Sequence, residues 1–152
     1  KTISANTNGQ NSNGSWEDGC EEITNYLQNL QIDPDTFFID DGSGLSRKNR
    51  LTANAITEVL IDAYNSNFWQ VYKDSLAVGG VDGTLDGRFR KDPYRGRVFA
   101  KTGYISGVRT LSGFCQSDSR LYAFSILTNH SNWYSKIAID DIIRALIDSD
   151  TN

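Results

Sequence analysis

"RVFAKTGYISGVRTLSGFCQSDSRLYAFSILT", residues 97 to 128, decides the fold. Three runs rich in β-branched and aromatic residues follow one another: Arg97 to Ile105, Val108 to Cys115 and Leu121 to Thr128. The links between them are short, Ser106-Gly107 and the polar "QSDSR". Links of this length leave no room for a crossover, so neighbouring strands must be antiparallel. The chain then closes with a helix of about 16 residues, on which Ile139, Ile142, Ile143 and Leu146 form an apolar stripe. That stripe must bury against something, and the three-stranded meander is the available partner. The expectation is an α+β fold, an antiparallel sheet flanked by helices.

Upstream of the meander, "GGVDGTLDGR" places four glycines within nine residues and reads as a turn or loop. Phe68 to Val78 is less regular. Thr52 is an expected N-cap for a helix whose inner face is Ile56, Val59, Leu60 and Ala63. "TFFID" reads as a short buried strand running into the turn-rich "DDGSGLSRKN". Ile23, Tyr26, Leu27 and Leu30 share one face of a short helix. Residues 4 to 19 are rich in Asn, Gly and Ser and bury little, so residues 1–19 are expected to be a flexible polar segment. Residues 20–152 carry the folded portion.

The chain has 152 residues, 38% hydrophobic and 22% charged, the composition of one globular domain. No apolar run approaches the roughly 20 residues that cross a bilayer. The chain starts with Lys1 and contains no Met, so the start is expected to be a cut inside a longer protein. A net charge of −4 argues against a nucleic-acid partner, which needs a basic face. Residues 87 to 101 are the local exception, with Arg88, Arg90, Lys91, Arg95, Arg97 and Lys101 against Asp92. Two readings stay open for them: a solvated loop, or a positive rim for an anionic ligand. Cys20 and Cys115 are the two cysteines and His130 the single histidine, a set too sparse for a metal site. A disulfide between the cysteines and two free thiols are both open. No cofactor is expected.

Lys101-Thr102-Gly103 carries the chemistry. It falls on a strand that can be a sheet edge, whose free backbone groups pair with an extended peptide. Gly103 has no side chain, so a ligand backbone can come close. The Thr102 hydroxyl can hydrogen-bond a carboxylate, and Lys101 supplies a point positive charge. K-T-G is one of three elements, with S-x-x-K and S-D-N, found together in penicillin-binding proteins and β-lactamases. Neither partner element is found. None of the lysines, at 1, 48, 73, 91, 101 and 136, has a serine three residues earlier. Ser4-Ala5-Asn6 matches S-x-N but sits in the polar opening segment and is read as a coincidence.

Three stretches in order, "IDDGSGLSRKNRLTA" (39 to 53), "GGVDGTLDGRF" (79 to 89) and "AKTGYISGVRTLSGF" (100 to 114), resemble the C-terminal part of one enzyme family. It is that of the serine D-alanyl-D-alanine carboxypeptidases of the S13 peptidase type, the class C low-molecular-mass penicillin-binding proteins. The resemblance runs from about Trp16 to the end of the chain. It implies a transpeptidase/β-lactamase-like domain and a periplasmic or cell-surface location. The implied substrate is a peptidoglycan stem peptide ending in D-Ala-D-Ala, cleaved through an acyl-enzyme that β-lactams trap. The nucleophile would lie in an upstream portion of the same protein carrying S-x-x-K and S-x-N.

By the same resemblance, Lys101 would hold the S-x-N serine and assist proton movement. Thr102 would bind the substrate carboxylate, with Gly103 beside it, and the Tyr104 N–H would supply half of an oxyanion hole. Ser43, Gly44, Leu45, Ser46 and Arg47 would approach the stem-peptide side chain, and Ile105 would border the same pocket. For several of these a purely structural role is also open: a tight turn at Ser43-Gly44, an ion pair from Arg47 to Asp40 or Asp41, packing by Tyr104 and Ile105. Asp82 and Gly83 read as turn formers. A non-catalytic relative that binds cell-wall peptide through the same groove is the alternative to an enzyme.

Overall fold

The structure, a computed structural model, describes residues 14–149. It divides into two compact units, Lys1–Ala55 and Ile56–Asn152. Ser4-Ala5-Asn6 and most of the polar opening segment lie outside the described residues.

In the first unit, helix α1 spans Trp16–Asn29 and so begins within the segment expected to be polar loop. Its start is set by a reciprocal cap. Ser15 Oγ accepts from Asp18 N at 3.0 Å while Asp18 Oδ2 accepts from Ser15 N at 3.1 Å, satisfying two otherwise orphaned donors. On the inner face, Leu27 is buried whereas Tyr26 is exposed. Trp16 Nε1 donates to the Asp40 carbonyl at 2.9 Å, tying the helix to the loop that follows. "TFFID" does not form a strand. Pro34–Thr36 is a 3₁₀ turn, and only Phe38 pairs, in a single bridge with Arg50. The Asp33 carboxylate accepts from Asp35 N at 3.0 Å, holding the chain in a turn where a strand would have to start.

Helix α2, Ala53–Asn65, begins as expected at Thr52, whose Oγ1 accepts from Ala55 N at 3.1 Å. In the second unit it continues through the buried Leu60 and Ala63. Helix α3, Trp69–Asp74, occupies the stretch read as irregular. A four-stranded antiparallel sheet follows, in the order β1 (Ala77–Val78), β2 (Val98–Ile105), β3 (Val108–Gln116) and β4 (Leu121–Asn129). Helix α4, Trp133–Asp148, closes the chain.

Side chains alternate across the sheet. Val98, Ala100, Leu111, Cys115 and Phe124 join Ile139, Ile143 and Ile147 of α4 in one core. The other face carries Phe99, Phe114 and Ala123, packed with Leu60, Leu76 and Trp69; the Trp69 and Phe114 rings meet edge-on at 4.7 Å. The buried stripe of α4 is therefore Ile139, Ile143 and Ile147, while Ile142 is 49% exposed. The same face of the helix carries a buried charged pair. Asp140 is buried and takes the Arg88 guanidinium, with Nε at 2.9 Å and Nη2 closer still. Gly113 lets β2 and β3 approach, because a Cβ there would run into the Phe99 carbonyl oxygen and meet Ala100 Cα at 2.6 Å. Both cysteines are free thiols, and burial pushes the Cys115 thiol up to about 11.

Candidate functional site

β2 is covered on one edge by β3 along its whole length. On its other edge β1 is only two residues long and pairs with Phe99 and Ala100. Among the described residues, no strand pairs with 101–105 on that side. The direction of the backbone groups there follows from two hydrogen bonds. The Arg97 carbonyl accepts from Gln116 N at 2.8 Å, on the β3 side. The Val98 carbonyl accepts from Gly79 N at 2.8 Å, on the β1 side. Alternation from this start turns the N–H and C=O of Thr102 and Tyr104 toward the open edge. Lys101 is exposed, and its Nζ donates to the Thr102 carbonyl at 2.7 Å, so the ammonium sits at that same edge.

Thr102 and Tyr104 project their side chains to the α4 face. There a cleft of about 170 Å³ is lined by Thr84, Thr102, Gly103, Tyr104, Arg109 and Lys136, with Arg88 and Ile139 at its base. The Thr102 hydroxyl donates to Thr84 Oγ1 at 3.0 Å. Arg109, opposite Tyr104 in register, lies with its guanidinium 4.6 Å from the Tyr104 ring centre. Gly103 faces Thr110, and a Cβ at 103 would collide with the Thr110 hydroxyl. The cleft therefore gathers hydroxyl donors and cations beside an unpaired backbone edge, a combination suited to an anionic, extended ligand. Of the expected residues in this unit, Thr102, Gly103 and Tyr104 line the cleft, and Lys101 stands at the edge. Ile105 is half-buried and is not part of the cleft lining.

The basic stretch of residues 87 to 101 does not make one continuous rim. Arg88 is paired with Asp140, Arg97 with Asp118 at 2.6 Å, and Arg95 donates to the Gly80 carbonyl. The sequence signal missed Thr84, Arg109 and Lys136. Thr84 meets Thr102 across 18 residues of sequence. For Arg109 the signal was available in principle, since the two-residue hairpin link fixes its register opposite Tyr104.

In the first unit, Ser43–Arg47 form a loop built around one carboxylate. Asp41 is buried and accepts from the Ser43 hydroxyl, from Gly44 N at 3.1 Å, and from Leu45 N and Ser46 N at 3.2 Å. Asn49 closes the ring: Oδ1 accepts from Asp40 N and Asp41 N, and Nδ2 donates back to Asp41. The Ser43 hydroxyl above all, then Asn49 and the backbone donors of Ser46 and Gly44, hold the Asp41 carboxyl below its ordinary range against the opposing effect of burial. Gly44 sits at φ +76°, where a side chain would be strained. Asp40 is bridged by Lys48 at 3.6 Å and by the Ser46 hydroxyl at 2.5 Å. The tight turn is real, and Leu45 at its tip is 73% exposed.

Comparison with known proteins bears on the family and the fold. A D-alanyl-D-alanine carboxypeptidase of Actinomadura sp. (strain R39) is 36% identical over 135 residues, covering 86% of this chain and 25% of the relative. The crystal structure of penicillin binding protein 4 (dacB) from Haemophilus influenzae matches with a TM-score of 0.75 and 27% identity, over 86% of this chain and 29% of that one. The same Haemophilus protein complexed with a β-lactam matches with a TM-score of 0.68 and 30% identity, over 78% of this chain and 28% of that one. The chain thus spans about a quarter of the length of the relatives it matches. The model of the D-Ala-D-Ala carboxypeptidase 3 (S13) family matches residues 2–148. From this match and the shared penicillin-binding-protein fold, the chain belongs to the D-Ala-D-Ala carboxypeptidase 3 (S13) family.

Proposed function

We propose that the protein carrying this chain is a serine D-Ala-D-Ala carboxypeptidase or endopeptidase acting on peptidoglycan stem peptides outside the cytoplasm. This chain contributes the K-T-G strand and the substrate pocket, and the nucleophilic serine comes from an S-x-x-K segment elsewhere in the protein. The observation that carries the reading is the unpaired 101–105 edge, with an ammonium at its rim and a threonine hydroxyl in the adjoining cleft.

An extended peptide laid along that edge would pair with the outward backbone groups of Thr102 and Tyr104. Thr102 would donate its hydroxyl to the terminal carboxylate, and the Tyr104 N–H would face the carbonyl oxygen as it gains charge on attack. One such donor is worth on the order of 10²–10³ in rate. Lys101 would release the Thr102 carbonyl and hold the S-x-N serine. We assign Ser43–Arg47 to recognition of the stem-peptide side chain, with the Asp41 ring keeping that loop in one shape, and Ile105 to contact with the same substrate. A β-lactam would enter as a substrate mimic and stop at the acyl-enzyme. Fluorescent penicillin labelling of the whole protein tests the proposal. A covalent adduct is expected; a protein that takes up no label is a peptide binder and not an enzyme.

A further inference from the structure

Thr84 lies in a segment built to stay in place. Asp82 Oδ1 accepts from Val78 N at 2.7 Å, and Gly80 N donates to the Leu85 carbonyl at 2.9 Å. Leu85 is fully buried, next in the chain to an exposed Thr84. Gly83 adopts φ +53° against Ala77, where a Cβ would stand 3.0 Å from the Ala77 Cβ. Just beyond, Arg88 is anchored by Asp140. Turn formers, a buried leucine and a buried ion pair therefore all fix the short 3₁₀ turn Gly83–Leu85. What that turn presents is a hydroxyl 3.0 Å from Thr102 Oγ1.

The surroundings specify the ligand's charge. Arg88 is neutralised by Asp140, but among the described residues Arg109 and Lys136 meet ring faces rather than carboxylates, Tyr104 at 4.6 Å and Trp133 at 5.6 Å. Both line the cleft that holds the two threonine hydroxyls. Cations on an aromatic face keep their charge and remain able to pair with an anion.

We propose that Thr84 is a positioning residue for Thr102 within an anion subsite whose charge is supplied by Arg109 and Lys136. This rests on the reading of Thr102 as the carboxylate ligand and extends it to three further residues. In the structure the Thr102 hydroxyl donates to Thr84 Oγ1. When a carboxylate arrives, the Thr102 O–H turns to it and the Thr84 O–H turns to donate to Thr102 Oγ1. Thr102 then keeps both an accepted and a donated hydrogen bond, and a hydroxyl whose oxygen accepts a bond is the stronger donor.

The test is competition against fluorescent penicillin labelling of the full-length protein, using N-acetyl-D-Ala-D-Ala and its C-terminal amide. For Thr84→Val, the concentration of the acid that halves labelling should rise about tenfold, while that of the amide stays put. Thr84→Ser should restore the wild-type value. Arg109→Gln should raise the acid value at least as much and reduce its salt dependence. Thr84→Val and Thr84→Ser should melt within about 2 °C of wild type. Equal losses for acid and amide, no loss for the acid, no rescue by serine, or a loss that tracks a fallen melting point would each overturn the proposal. A wild-type protein that takes no label instead removes the acyl-transfer reading. Calorimetric titration of the same two peptides then applies the same acid-against-amide criterion to the subsite.

Discussion

Asp140→Ala should be among the most damaging single changes in the second unit. It leaves the Arg88 guanidinium, 8% exposed, buried without its counter-charge, and removes both hydrogen bonds to Asp140 Oδ1. Removing one partner of a buried pair costs about 3–5 kcal/mol, because the remaining charge can neither be solvated nor paired. A typical domain has about 5–15 kcal/mol in total, so a large share of its stability is lost. The control is Arg88→Met with Asp140→Leu, which replaces both charges by apolar groups of similar length. That double change should be close to neutral, since no uncompensated charge is left. Urea unfolding of the full-length protein, followed by tryptophan fluorescence, reads both. The reasoning is refuted if Asp140→Ala costs less than about 1 kcal/mol, or if the double variant is as unstable as the single one.

Three further outcomes follow from the packing and the loop. Ile143→Ala, at a fully buried position of α4, should cost about 2–5 kcal/mol, whereas Ile142→Ala, half exposed, should stay within about 0.5 kcal/mol in the same unfolding assay. Gly103→Ala should cost about 1–3 kcal/mol by driving a methyl group into the Thr110 hydroxyl. Adding Thr110→Ala should recover that stability without recovering penicillin labelling, because the ligand's approach stays blocked. Asp41 has a folded pKa below its ordinary 3.8, so its contribution is full above about pH 4 and is lost as the pH falls through the lowered value. The amide resonances of Gly44, Leu45 and Ser46 should therefore titrate together with a midpoint below 3.8, and a midpoint above it would contradict the ring.

The meander was legible because its links are too short for anything but hairpins, and the strands run as expected to within a residue of each end. Thr52 was legible because an N-cap is a local device. The start of α1 was equally local, in the Ser15–Asp18 capping box, but a polar, glycine-rich neighbourhood masked it. The stripe of α4 was half legible. Its period pointed to Ile139 and Ile143, which are buried, and to Leu146, which is half-buried against the same core, but Ile142 is exposed and Ile147 completes the buried stripe. The cleft shows the same division. Lys101-Thr102-Gly103 stands out as a motif, while Thr84, Arg109 and Lys136 acquire meaning only when separate elements bring them together.

The central claim is that the 101–105 edge, with Lys101 at its rim, serves an acyl transfer whose nucleophile lies outside residues 1–152. It is tested most directly by the rate constant for acylation by penicillin, compared between wild type and Lys101→Ala, with the adduct mapped by mass spectrometry. The account predicts a rate reduced at least a hundredfold in the variant, and a wild-type adduct on a serine of an S-x-x-K segment. An unchanged rate, or an adduct on a residue within 1–152, would contradict it.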